Sequence, residues 1–252
     1  MKIGVFDSGI GGLSILKELY NQAPYLDYYY FSDSRFTPYG NKGEELIYER
    51  SKFITEVFLD LDITTIVVAC NTATAWCIDR LRKEFPRLSF FGVEPYINII
   101  NKDKSLALKR GVSLVTELMS SSKRYNELKL RLDPKDKLMT IALPRLAYDI
   151  EINYFKNGDM FKLVESNLKK YQPSISERDF IVLGCTHYPI VRTQISSVLG
   201  LPCVSPCTQV AQYVLSSCHI NDEKQGKSDI NFFDSKDDNA WRVLKYEELI
   251  LF

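Results

Sequence analysis

The run Ile63-Thr-Thr-Ile-Val-Val-Ala69 is apolar or β-branched throughout. A strand with one wet face alternates polar and apolar residues, whereas a strand covered on both faces need not. The run therefore suits the centre of a parallel sheet with helices on either side. Other short runs repeat the signal: IGVF (3–6), YYYF (28–31), LSFFGV (88–93), VSLV (112–115), LMTIAL (138–143), FIVLG (180–184) and INFF (230–233). Between them, Leu13, Leu16, Leu19 and Tyr20 fall at helical spacing, as do Leu46, Ile47, Phe53, Ile54, Val57, Phe58 and Leu61 between Gly43 and Leu61. Further helices are expected from Thr74 to Phe85 and over 159–171, 189–199, 207–217 and 237–250. Such alternation predicts an α/β fold with mainly parallel central sheets and right-handed crossovers. The 252 residues allow one or two domains at about 100–200 residues each. We place a boundary within Ile97–Arg110 and a return near 206, giving two similar α/β domains, 1–98 plus 207–252 and 99–206.

Composition removes several function classes. The 32 basic and 32 acidic side chains cancel, so nothing marks a nucleic-acid or anionic-membrane surface. No apolar run approaches the roughly 18 residues that span a bilayer. The start, MKIGVFDSGIGG, turns glycine-rich after four core-type residues and does not read as a signal peptide. Six cysteines without an export signal point to reduced thiols and a cytoplasmic protein rather than a disulfide framework. Only two histidines are present, and CVSPC (203–207) has no partner pair, so no metal site is expected.

Chemistry concentrates where strands end. TTIVVACNTATA around Cys70 and DFIVLGCTHYPIV around Cys185 share one layout: a buried-type strand, a small residue, a cysteine, then residues able to cap a helix. Ligands of open α/β sheets bind beyond the carboxyl ends of the strands. Helix N-terminal amides there favour a thiolate and are expected to lower the thiol pKa from about 8.5 toward 7 or below. Taken singly, each cysteine reads equally well as a core residue. A phosphatase-type C-x5-R loop is absent, since Arg192 comes one residue late after Cys185. Cys77 and Cys218 fall at helical spacing with apolar neighbours and read as core.

In VFDSGIGGLS, Gly9, Gly11 and Gly12 allow a tight turn and close backbone approach to a ligand, although the dinucleotide fingerprint is missing. Asp7 and Asp33, each taken alone, read as helix caps. Pro38-Tyr39-Gly40 reads as a rigid turn presenting backbone amides to a carboxylate. His187, two residues after Cys185, can hold a proton or stabilise a thiolate. His219 has no comparable setting.

Together these segments resemble the glutamate racemases of the cofactor-independent aspartate/glutamate racemase superfamily. The matching stretches are GVFDSGIGGLS (4–14), DSRFTPYG (33–40), VVACNTAT (67–74), GVEP (92–95) and LGCTHYPIV (183–191). The resemblance implies two α/β domains with the active site in the cleft between them. It implies interconversion of L- and D-glutamate by two opposed cysteines, with no cofactor and no metal, supplying D-glutamate for peptidoglycan. Carried over by motif, Cys70 acts on D-glutamate with Asp7 assisting, and Cys185 acts on L-glutamate with His187 assisting. Asp33 and Glu151 match two further family acids. Ser8, Pro38, Tyr39, Gly40, Asn71, Thr72 and Thr186 match positions that hold the substrate, alongside Asp7, Cys70, Cys185 and His187. Homodimers are common in the family, but no interface can be read here.

One departure bears on substrate choice. Where the family often carries T-x-x-T, Thr116 is followed three residues later by Met119, with Ser120-Ser121-Ser122 offering a hydroxyl in a shifted register. This keeps a racemase of aspartate or another acidic amino acid as one alternative and a non-catalytic binding or regulatory homologue as another.

Overall fold

The computed structural model describes residues 1–106, 108–156, 158–218, 226–237 and 240–249, so His219 lies outside the described residues. The first half of the chain runs β1 (Lys2–Asp7), α1 (Leu13–Gln22), β2 (Asp27–Ser32), α2 (Glu44–Asp60), β3 (Thr65–Val68), α3 (Asn71–Glu84) and β4 (Ser89–Gly92). It continues through α4 (Ile99–Lys102), β5 (Gly111–Thr116), α5 (Glu117–Ser121), α6 (Lys123–Leu132), β6 (Leu138–Leu143), α7 (Leu146–Asn153), α8 (Met160–Leu168), β7 (Phe180–Leu183), α9 (Arg192–Leu199) and β8 (Cys203–Val204). The chain then returns through α10 (Cys207–Ser217), β9 (Ile230–Asp234), β10 (Arg242–Leu244) and α11 (Tyr246–Leu249).

Two sheets result. One has the order β10-β9-β2-β1-β3-β4 and the other β6-β5-β7-β8; every pairing is parallel except β9 with β10. The α/β class with mainly parallel sheets is thus as expected. Successive side chains in a strand point to opposite faces, and both faces of the first sheet are buried. Val5, Tyr30 and Val67 pack toward α1 and α10, while Phe6, Phe31 and Val68 pack toward α2 and α3. In the second sheet, Val112, Leu114, Ile181 and Leu183 pack in a core that includes residues of α7, α8 and α9. The opposite face holds Val115, Phe180 and Val182 together with Ile97, Ile99 and Ile100 from the connector. Cys203 belongs to the core of the second sheet and Cys207 to that of the first, so the chain crosses between cores within CVSPC.

Some local expectations are corrected. The helix expected over 237–250 is instead β10 followed by the single turn α11, with 238, 239 and 250 outside the described residues. Arg242–Leu244 finds backbone partners on Ile230–Phe232, and this long-range pairing displaces the helical pattern. The third helix starts at Asn71, three residues early, directly on the end of its strand. On α2, Leu46 and Phe53 stay exposed; Ser51 and Thr55 are buried instead, donating their hydroxyls to the carbonyls four residues back at 2.8 Å. Such back-bonding lets a small polar side chain sit on a helix's inward face. Cys77 is fully buried, while Cys218 is half-buried at the rim of the first core.

Candidate active site

Each sheet has one place where the chain reverses its direction of travel across the strands, and loops there diverge to leave a crevice. In the first sheet, β1 lies between β2 and β3, which places the end of β1 (Asp7) beside the end of β3 (Cys70). In the second, β5 lies between β6 and β7, which places Thr116 beside the loop carrying Cys185. The two crevices face each other, since Thr186 Oγ1 donates to Asp7 Oδ2 at 3.3 Å.

Cys70 is the N-cap residue of α3 in an extended conformation, without a side-chain capping hydrogen bond, and the Ala73 amide of the first turn favours its thiolate. The Asp7 carboxylate lies against this thiol. Asp7 Oδ2 also accepts the Gly12 N–H at 2.7 Å, so the capping reading holds for one oxygen. The other, Oδ1, is buried with no hydrogen-bond partner among the described residues. Across from it, Cys185 Sγ lies 3.9 Å from His187 Nδ1, and His187 Nε2 lies 2.8 Å from Glu151 Oε2. That same oxygen accepts the Ile10 N–H at 2.9 Å, from the turn after β1. Asp7, Cys70, Glu151, Cys185, Thr186 and His187 are all at most 7% exposed.

The glycines of the first turn are explained by this approach. A Cβ on Gly9 would sit 2.3 Å from Glu151 Oε2, and one on Gly11 would sit 2.5 Å from His187 Nδ1. The close contact anticipated for a ligand is made by the opposing wall. Ser8 is buried in the same turn, directly after Asp7. Thr72 Oγ1 lies 3.4 Å from Thr116 Oγ1, with Gly40 packed against the same threonine. Asn71 donates to Val93 O at 3.2 Å, tying the start of α3 to the connector.

Asp33 is fully buried and receives a fork from Arg50, Nε to Oδ2 at 3.0 Å and Nη2 to Oδ1 at 2.8 Å. The Tyr39 hydroxyl donates to Asp33 Oδ2 at 2.6 Å. This acid is therefore engaged within the protein. Pro38, buried, and Gly40, half-buried, flank Tyr39 in the turn. The Ser120–Ser122 hydroxyls do not serve as a shifted replacement for the threonine. They bond the carbonyls of Glu117, Leu118 and Met119, and Ser122 also caps α6. Met119 is buried in the apolar cluster below them.

The chain is 34% identical over 202 residues to the glutamate racemase of Clostridium acetobutylicum, covering 78% of this chain and 75% of that one. It is also 34% identical over 235 residues to that of Aliarcobacter butzleri, covering 90% and 87%. The chain belongs to the glutamate racemase family. It is an isomerase. No family model matches it. Among solved structures, the Escherichia coli glutamate racemase in complex with L-glutamate and the activator UDP-MurNAc-Ala superposes with a TM-score of 0.80 at 26% identity, covering 92% of this chain and 88% of that one.

The electrostatics of this glutamate racemase fold separate the two cysteines. Burial, then the Asp7 charge, pushes the Cys70 thiol well above its ordinary value; the Ala73 amide opposes this and loses. The expected thiolate at the head of α3 is therefore overturned for Cys70. Burial also raises the Asp7 carboxyl above its ordinary 3.8, against the attraction of His187. For His187, burial favours the neutral ring, but bonding to Cys185 and Glu151 and the Asp7 charge together raise its pKa well above 6.5. A cleft of about 400 Å³ lined by Arg82, Tyr96, Arg124 and Tyr213 opens elsewhere and includes neither cysteine.

Sequence reading missed three contributors: Arg50, the Ile10 amide and Tyr30, whose hydroxyl holds Gly9 O at 2.6 Å. Arg50 carried a signal, because it fills the gap in the α2 stripe between Leu46 and Ile54. No local pattern marks the other two.

Proposed function

We propose that this isomerase interconverts L- and D-glutamate by a two-thiol 1,1-proton transfer without a cofactor. Its product would serve peptidoglycan synthesis in the cytoplasm. The observation that carries this reading is the convergence of two strand-end cysteines, each with its own proton-handling partner, on one buried space.

The α-proton of an amino acid is a very weak acid, so its removal needs a placed base and relief for the carbanion that forms. In the L-to-D direction, Cys185 takes the proton as a thiolate. The His187 cation at 3.9 Å balances the sulfur charge, and Glu151 holds the ring in place from its far nitrogen. The Cys70 thiol, kept protonated by burial and Asp7, delivers its proton to the opposite face. In the D-to-L direction the roles exchange, with Asp7 assisting Cys70. The substrate ammonium group satisfies Asp7 Oδ1, which has no hydrogen-bond partner among the described residues. Ser8, Asn71, Thr72, Thr186 and the Pro38-Tyr39-Gly40 turn hold the carboxylates, and Asp33 supports that turn.

Because these residues are buried, the two walls must part for substrate to enter and close to exclude water. The motion is a relative movement of two domains, residues 1–98 plus 207–252 and residues 99–206. The partition of strands between the two sheets supports that division.

The test is circular dichroism of L-glutamate incubated with reduced, chelator-treated, pyridoxal-free protein, with L-aspartate in parallel. Decay of the glutamate signal to zero is expected. A flat glutamate trace beside a decaying aspartate trace would transfer the assignment to aspartate. Two flat traces from folded protein would reject the catalytic reading.

A further inference from the structure

We infer that Arg50 is a positioning residue for substrate binding, acting through Asp33 on the Pro38-Tyr39-Gly40 turn; this rests on the glutamate reading above. The guanidinium reaches from α2 into the loop after β2 and grips it twice. Its fork takes both Asp33 carboxylate oxygens, at 3.0 and 2.8 Å. Its face lies 4.2 Å from the centroid of Phe36 in the same loop and 4.7 Å from that of Phe53 on its own helix.

Asp33 passes the constraint on. It accepts the Tyr39 hydroxyl at 2.6 Å, which sets the ring and hence the adjoining Gly40 backbone against Thr116 on the opposite wall. The Tyr39 ring shares a core with Cys70, so the turn's position is referred to the reacting thiol. From the other side, Ser34 bonds Asp234, and the Arg35 amide donates to Ser235 Oγ at 2.9 Å. The loop is thus braced from α2 on one side and from the end of β9 on the other. Arginine suits the task because a planar fork fixes a carboxylate in two dimensions, whereas an ammonium fixes only a distance. With three donors already on it, the Asp33 carboxylate is committed to holding this loop.

Arg50→Lys keeps the charge opposite the buried carboxylate while losing the fork. The experiment compares racemisation of L-glutamate by wild type, Arg50→Lys, Tyr39→Phe and the double variant, each checked by melting. We expect Arg50→Lys to raise KM about tenfold while kcat stays within about threefold. The double variant should be no worse than the poorer single, because both act through one turn. If Arg50→Lys does not fold, Arg50→Gln combined with Asp33→Asn removes the charge together with its partner and carries the same KM comparison. A wild-type KM in the folded variant, or KM effects that multiply, would overturn the assignment and leave Arg50 as charge balance for Asp33. An inactive wild type would instead defeat the functional reading, and this inference with it.

Discussion

The Cys70 wall and the Cys185 wall begin from the same sequence layout and end with opposite electrostatics. Cys70 opens directly onto the 14-residue helix α3, yet its neighbour is a carboxylate and its thiol is pushed up. Cys185 is followed by Thr186, His187 and a short 3-10 turn, with α9 starting only at Arg192, yet its neighbour is a histidine held as a cation. Local helix geometry is therefore the weaker influence. At Cys70, burial first and the Asp7 charge second outweigh the half-charge of a helix end. The difference suits a reaction needing one acid and one base at the same moment.

The largest test of this comparison is removal of each sulfur. Cys70→Ser and Cys185→Ser should each lower racemisation by about 10³-fold or more, since each deletes one placed acid or base. Exchange of the α-proton for deuterium should persist preferentially from D-glutamate when Cys70 remains and from L-glutamate when Cys185 remains. Equal exchange from both enantiomers in either variant would erase the distinction between the walls. Next in size, Asp7→Asn and His187→Asn should each cost about 10²-fold. Enantiomers are equally stable, so kcat/KM must stay equal in the two directions. The asymmetry should instead appear in the α-deuterium isotope effect, larger from D-glutamate for Asp7→Asn and larger from L-glutamate for His187→Asn.

Gly11→Ala should raise KM roughly tenfold by pushing a methyl group into His187 and holding the walls apart; small misplacements at a reacting centre have large kinetic effects. An unchanged KM would mean the walls do not close as tightly as these contacts imply. Glu151→Gln tests the His187 side by pH. A histidine whose pKa is raised by folding adds stability that is fully present below its unfolded value, near 6.5, and is lost as pH rises through the folded value. Glu151 is one cause of the raised value, so Glu151→Gln should move the alkaline fall in both kcat/KM and melting temperature to lower pH. The smallest effect is expected at Cys218, half-buried and away from both walls. Cys218→Ala should leave turnover within about twofold, as substitutions distant from such features usually do.

Much of this molecule is legible along the chain. Strand-end positions of Asp7, Cys70, Thr116 and Cys185 follow from apolar runs of the right length, because β-strand formation with both faces covered leaves a continuous local signature. Gly9 and Gly11 were also readable as sites of close approach, though what approaches them was not. The C-terminal segment misled because the period of Trp241–Leu249 is compatible with a helix, and only the backbone of β9, a separate strand, decides otherwise.

Local pattern thus settled the α/β class, the ends of the strands and the residue types able to move a proton. Partnership was decided in three dimensions: Glu151 meets the Ile10 amide across 141 positions of sequence, and Thr186 meets Asp7 across 179. Whether a thiol is favoured as acid or as base depends on burial and on charges a few ångströms away. Those distances are set by how two sheets pack, and no window of neighbouring residues contains them.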